Sequence, residues 1–159
     1  MIPTEIETDR LRLVLESLES ARARIAALPE EYQAMLSADW LAKFNAATES
    51  DPWLVGFDIV YSADGSSIGQ IGFKGPPENG AVEIAYAIDE SSQGKGYATE
   101  AADALTAAAL KHCEEVTVVR AHTLPEENAS TRVLTRIGFK KTGTFDDPED
   151  GPVWRWEFS

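Results

Sequence analysis

The segment Gln93-Gly94-Lys95-Gly96-Tyr97-Ala98 joins an apolar run, residues 82–89, to an alanine-rich stretch that begins at Tyr97. The run predicts a strand and the stretch a helix. A helix that starts on a glycine turn leaves its first N–H groups unpaired at the positive end of its dipole, which suits an anion. Gly94 and Gly96 carry no Cβ, so the backbone can come close to a phosphate. Lys95 adds a cation and Thr99 a first-turn hydroxyl. The chemistry expected here is capture of a phosphorylated ligand. Two familiar phosphate loops do not fit. No Gly-Lys-Ser or Gly-Lys-Thr ends the turn, which excludes a Walker loop. A Rossmann unit sets its turn after the first strand of a βαβ repeat, whereas this one follows roughly the fourth strand-like segment.

Further blocks flank the loop. Thr8-Asp9-Arg10-Leu11-Arg12-Leu13 and Ala81-Val82-Glu83-Ile84-Ala85-Tyr86 precede it; Glu127-Asn128-Ala129-Ser130, Arg132-Val133-Leu134 and Ile137-Gly138-Phe139 follow. In this order and spacing they resemble the GNAT superfamily of acyl-CoA-dependent N-acetyltransferases, most closely its RimJ/RimL-like branch. The superfamily's diphosphate signature is Gln or Arg, two residues, Gly, one residue, then Gly or Ala; Gln93, Gly96 and Ala98 match it. The resemblance covers most of the chain. It implies one N-acetyltransferase domain over residues 1–159, built on a central mixed, mostly antiparallel twisted sheet flanked by helices, with a splayed central strand pair. It implies acetyl-CoA as co-substrate, an amine as acceptor and direct transfer in a ternary complex. Carried over residue by residue, Tyr86, Ala87 and Ile88 offer main-chain groups to pantetheine. Gln93, Gly94, Lys95, Gly96, Tyr97, Ala98 and Thr99 hold the diphosphate, and Asn128 lies against the pantetheine arm.

The same resemblance points to two catalytic candidates. Glu83 lies one position out of phase with Ile84, Tyr86 and Ile88, so strand alternation sends it to the opposite face. On the family pattern that face looks toward the acceptor, making Glu83 the candidate general base; the other reading is a solvated strand carboxylate. The Ser130 hydroxyl is either a helix-capping group or the proton donor to the CoA sulfur. Many relatives carry a tyrosine acid four residues before the Gly138 position, and here that residue is Leu134. Two other classes of function stay open. One is a non-catalytic acyl-CoA-binding or sensor module, favoured by Leu134 and opposed by Glu83. The other is an interaction protein with a vestigial loop. His112 and His122 have no partner at a metal-ligand spacing, so no metal is expected.

The elements that must position these residues follow from periodicity. Leu11, Leu13 and Leu15 predict a first strand. Leu18, Ala21, Ile25 and Leu28 predict a helix up to Pro29, and Tyr32, Leu36, Trp40 and Phe44 a second helical stripe. Strands are expected over 53–61, 66–73, 81–89 and 116–123. A helix after the loop should carry Ala98, Ala101, Ala102, Leu105, Ala108 and Ala109 on one face, whose small side chains let it lie close to the sheet. A short helix over 128–136, closed by Gly138, precedes final strands over 140–144 and 153–158. The order is that of a mixed α/β or α+β protein.

Composition sets the outer bounds. At 43% hydrophobic residues the chain can form an ordinary core, and no run approaches the ~18 apolar residues of a membrane span. The start of the chain lacks the basic and apolar regions of a secretory signal, and the single Cys113 suits a reducing cytosol, so a cytoplasmic protein is expected. A formal charge of −13 disfavours nucleic acid; the excess acid either attracts cationic partners such as amines or serves only to keep the protein soluble. Association is expected to be monomer or homodimer.

Overall fold

A computed structural model describes residues 1–148 and 150–159. Among them, one sheet runs in the order β1 (Glu5–Glu7), β2 (Leu11–Leu15), β3 (Phe57–Tyr61), β4 (Ser67–Phe73), β5 (Ala81–Ile88), β6 (Val118–Thr123), β8 (Gly151–Phe158), β7 (Lys140–Asp147). Every pairing is antiparallel except β5 with β6. That parallel pair holds register only over 81–83 against 118–120. Beyond Glu83, β5 runs on to Ile88 along β4 alone, so the sheet opens between β5 and β6. This is the mixed, mostly antiparallel sheet with a splayed central pair that the motifs imply.

The long helix α4 (Tyr97–His112) lies on the sheet with Ala101, Ala102, Leu105, Ala108 and Ala109 buried, as their spacing predicts. Small side chains let its axis come close to the strands. The central core adds Leu11, Leu13, Phe57, Ile59 and Ile71, each at most 2% exposed. Full burial of such side chains contributes about 1.5–3 kcal/mol each. α5 (Ala129–Ile137) buries Leu134 and ends on Gly138 at φ 113°, the left-handed cap that its glycine allows. Close packing under the site also rests on Gly69 of β4, where a Cβ would stand 2.3 Å from the Ala87 carbonyl oxygen.

The N-terminal third departs from expectation. A short β1 precedes the predicted first strand, and the second helical stripe is not one helix. α1 (Leu18–Ala26) is followed by the single turn α2 (Glu30–Gln33) and then α3 (Ala38–Ala46). The Ser37 side chain accepts from Trp40 N at 3.3 Å and starts a new helix, leaving Tyr32 and Met35 exposed. Trp40 stacks on Phe44 at 4.7 Å in a satellite core with Leu18, Ala21 and Val55. The strand expected from residue 53 begins at Phe57, because Asp51 accepts from the amides of Trp53, Leu54 and Val55 and folds that stretch into a turn. At the other end the strands are longer than predicted: β7 extends to Asp147 rather than 144, and β8 starts at Gly151 rather than 153. Among the described residues no helix is long and apolar enough to cross a membrane.

Candidate active site

The glycine turn forms as its residues require. Gly94 and Gly96 have φ of 77° and 84°, in the left-handed region that side chains disfavour. Gly96 is the N-cap of α4 and supplies no side-chain acceptor, so the first-turn amides lack a capping partner. Gln93 Nε2 donates to the Ile88 carbonyl at 2.9 Å and ties the loop to the end of β5.

A clamp braces the turn from behind. Arg10 Nη1 donates to the Lys95 carbonyl at 3.0 Å, its Nε meets Glu100 Oε1 at 2.8 Å, and its guanidinium lies 4.6 Å from the Tyr97 ring centroid. Thr8 Oγ1 and the Arg10 amide also donate to Glu100, at 2.5 and 2.9 Å. Burial works against a charged Glu100, but the bonds from Thr8 and Arg10 outweigh it and hold the carboxyl below its ordinary value. The Thr-Asp-Arg block thus reaches the glycine turn through side chains that lie just before β2 and through Glu100 of α4.

Above the turn lies a groove of 530 Å³ between α4, α5 and the free edge of β5. Tyr86, Ala87, Ile88, Gln93, Gly94, Gly96, Tyr97, Ala98 and Thr99 line it together. Two residues expected at the ligand do not. Lys95 faces the clamp with its carbonyl, and Asn128 caps α5, its side chain accepting from Thr131 N at 3.0 Å while Thr131 Oγ1 accepts from the Asn128 amide at 2.9 Å. That reciprocal pair completes the cap without Ser130, which lines the groove instead. Arg132 and Arg136 also line it and were not among the residues expected there. Their separation of one helical turn on α5 is the signal that places both on one face.

A second cavity of 310 Å³ lies on the other side of the split and shares Tyr86 and Ser130 with the first. Glu83, His122, Leu124 and the fully buried Leu134 line it, with Lys74, Asp147 and Asp150 at its polar boundary. Glu83 is partnered rather than simply solvated: its Oε2 is 3.1 Å from His122 Nδ1 and 3.4 Å from Lys74 Nζ. His122, set aside from sequence for want of metal spacing, belongs to this cavity. Its face is legible from alternation in β6, where Val119, Ala121 and Thr123 are buried and Arg120 and His122 point the other way.

Where the cavities meet, the Tyr86 phenol is shut off from solvent and makes no well-formed hydrogen bond. Burial pushes it up to about 12, against a smaller opposing effect of the nearby Ser130 hydroxyl. The phenol therefore keeps its proton at neutral pH and is available as a hydrogen-bond donor. Cys113 lies at the opposite end of α4, sixteen residues or about 24 Å of helix away, and lines a separate groove with Met1 and Trp53.

Comparison with known proteins gives this geometry its family. A curated relative, the uncharacterized N-acetyltransferase YjdG of Bacillus subtilis, is 35% identical over 100 residues, 62% of this chain; the chain spans 56% of that relative's length. Among solved structures, a GNAT-family acetyltransferase from Bacillus anthracis is 19% identical with a TM-score of 0.69, covering 97% of each chain. RimL, a ribosomal alpha-N-protein acetyltransferase solved in complex with coenzyme A, is 18% identical with a TM-score of 0.69, covering 99% of this chain and 96% of its own. At such identities the two structures share the fold. A sequence model of the Acetyltransferase (GNAT) domain matches residues 4–140, a span that takes in the glycine turn, the split strands and α5, and the chain belongs to that family.

Proposed function

We propose that this protein is an N-acetyltransferase that moves the acetyl group of acetyl-CoA to a primary amine, on a protein N-terminus or a small molecule, by direct transfer in a ternary complex. One observation carries the reading. A groove that ends on a phosphate-type turn and a cavity that contains a carboxylate meet at the same two side chains, Tyr86 and Ser130. Two cavities with a common wall suit a donor in one and an acceptor in the other.

The chain's own groups fit a CoA donor. Nothing lies within 4 Å of where a Cβ on Gly94 would sit, so the turn leaves room for a diphosphate. The amides of α4 and the guanidiniums of Arg132 and Arg136 supply positive partial and full charge. The unpaired edge of β5 beyond Glu83 offers main-chain donors and acceptors to a pantetheine arm. When bound, acetyl-CoA brings an activated thioester. Glu83 accepts a proton from the incoming ammonium, so that the amine attacks as a neutral group. Ser130 faces the donor groove with its hydroxyl uncommitted to capping, which supports the proton-donor role at the sulfur. The position of Cys113, far along α4, supports direct transfer over an acyl-enzyme route.

Leu134 favours a second reading, a non-catalytic acyl-CoA-binding module, because it fills the place of the commonest acid with a buried hydrocarbon. The two are separated by one experiment. CoA binding is measured by calorimetry, and thiol release from acetyl-CoA is followed with a short peptide, a free amino acid, a polyamine and an aminoglycoside. Binding together with amine-dependent thiol release is the expected result; binding with no release from any amine supports the sensor. Glu83→Gln should then lower turnover about 10²–10⁴-fold at neutral pH while acetyl-CoA affinity holds, with partial recovery at high pH where free amine is plentiful.

A further inference from the structure

Glu83 stands at the mouth of the split, where the backbones of β5 and β6 cease to pair. The residue opposite it in the parallel register is Arg120, the obvious partner for a carboxylate. That guanidinium is committed elsewhere: its Nε and Nη2 donate to Glu157 Oε2 at 2.9 and 2.7 Å. Glu83 turns instead to His122, the next residue on the same face of β6, at 3.1 Å.

His122 is in turn fixed from behind. It pairs directly with Arg155 across the β6–β8 ladder, and Arg155 Nε–H donates to His122 Nε2 at 3.0 Å. A ring nitrogen that accepts from Arg has no proton of its own, so the imidazole is neutral and carries its hydrogen on Nδ1, the atom that faces Glu83. Arg155 is held by lying 3.6 Å over the Phe145 ring of β7. The result is a side-chain row, Phe145, Arg155, His122 and Glu83, that spans four strands and bridges the opening which the backbone leaves.

We propose that His122 and Arg155 are positioning residues for Glu83: Arg155 selects the Nδ1–H tautomer of His122, and that ring holds the Glu83 carboxylate in the second cavity. The proposal rests on Glu83 acting as the base. Since Nε2 is occupied, His122 is an orienting donor and does not itself take the acceptor's proton. Misplacing a reacting carboxylate by about 1 Å costs on the order of 10²-fold in rate, which sets the scale of the expected effect.

The test reads the tautomer first, since it needs no substrate. The sequence holds only His112 and His122, so long-range ¹H–¹⁵N spectra of histidine-labelled protein, assigned with His122→Asn, report each ring separately. Native protein should show His122 as Nδ1–H, and Arg155→Met, which keeps a long side chain over Phe145, should lose that preference. An Nε2–H ring in the native protein, or an unchanged tautomer in Arg155→Met at an unchanged melting temperature, overturns the proposal. Kinetics then follow on whichever amine of the panel is turned over. His122→Ala should lower kcat roughly 10- to 100-fold with KM for acetyl-CoA unchanged, and His122→Asn, whose amide N–H stands in for Nδ1–H, should recover most of it. If Glu83→Gln is inactive while His122→Ala keeps native kcat, the positioning role fails and the base stands. If Glu83→Gln itself turns over normally, the base reading fails first.

Discussion

Because Asn128 and Thr131 exchange both hydrogen bonds of the α5 cap, the Ser130 hydroxyl is not needed for it, and stability and chemistry can be separated within the four positions 128–131. Asn128→Ala should cost about 1 kcal/mol of stability, within roughly 0.5–2, by removing the acceptor for the Thr131 amide. Ser130→Ala should leave stability within about 0.5 kcal/mol yet lower turnover at least about tenfold, with acetyl-CoA binding retained. The loss should shrink with an acyl donor whose leaving thiol is more acidic, since such a thiolate needs no proton. Chemical denaturation and steady-state kinetics on the two variants check this. A Ser130→Ala enzyme with native turnover makes the hydroxyl a bystander. The Tyr86 phenol beside it, pushed up to about 12 by burial, stays a donor through the whole working range and cannot substitute as a base.

At the scale of elements, the turn and its brace make two separate predictions. Gly94→Asp is a cleaner probe of the phosphate site than a change at Gly96, because a side chain at Gly96 would meet Arg10 Nη2 at 3.3 Å whereas Gly94 faces open space. Adding a carboxylate where the diphosphate is expected should weaken CoA by about 2–4 kcal/mol, or roughly 30- to 1000-fold by calorimetry. The clamp behind the turn should be sensitive to acid. Glu100 has a lowered folded value, so its contribution to stability is full above the ordinary carboxylate value of 4.5 and is lost as pH falls through the lowered one. Glu100→Gln should therefore be less stable than native protein at pH 7, and the gap should narrow on acidification. A gap that is the same at pH 7 and pH 3 would show that the ion pair with Arg10 does not contribute. Much of this layer was legible in the sequence. Alternation gave β2 and β5, the alanine spacing gave the buried face of α4, and Gly138 gave the end of α5. What was not legible depended on groups far apart in the chain. Arg10 reads as a strand residue until β2 is laid beside α4, ninety residues on. His122 has no meaning until β6 lies parallel to β5. The break between α2 and α3 turned on one serine that caps a helix inside an apolar stripe, a local bond strong enough to override the period.

At the scale of the whole molecule, the formal charge of −13 opposes any polyanionic donor, so a hold on it by the arginines of α5 would work against the field of the rest of the chain. The two effects have different ranges. Arg132 and Arg136 would act on phosphates at contact distance, while the repulsion is summed over charges spread across the surface, many at more than the ~10 Å Debye length of 0.1 M salt, and salt weakens both. Removing the pair leaves mainly the long-range repulsion. The double variant Arg132→Ala, Arg136→Ala should bind CoA about 10-fold or more weakly at low ionic strength, each charge-assisted contact being worth on the order of 1 kcal/mol at an exposed site. Raising salt from about 10 to 150 mM should then strengthen its binding, because only repulsion is being screened. The native protein should respond less steeply, since screening weakens its contacts as well as its repulsion. Calorimetric titrations at several salt concentrations give the two slopes directly. Parallel slopes would mean that the arginines are no more than solvated helix residues, and that the amides of α4 hold the phosphates alone.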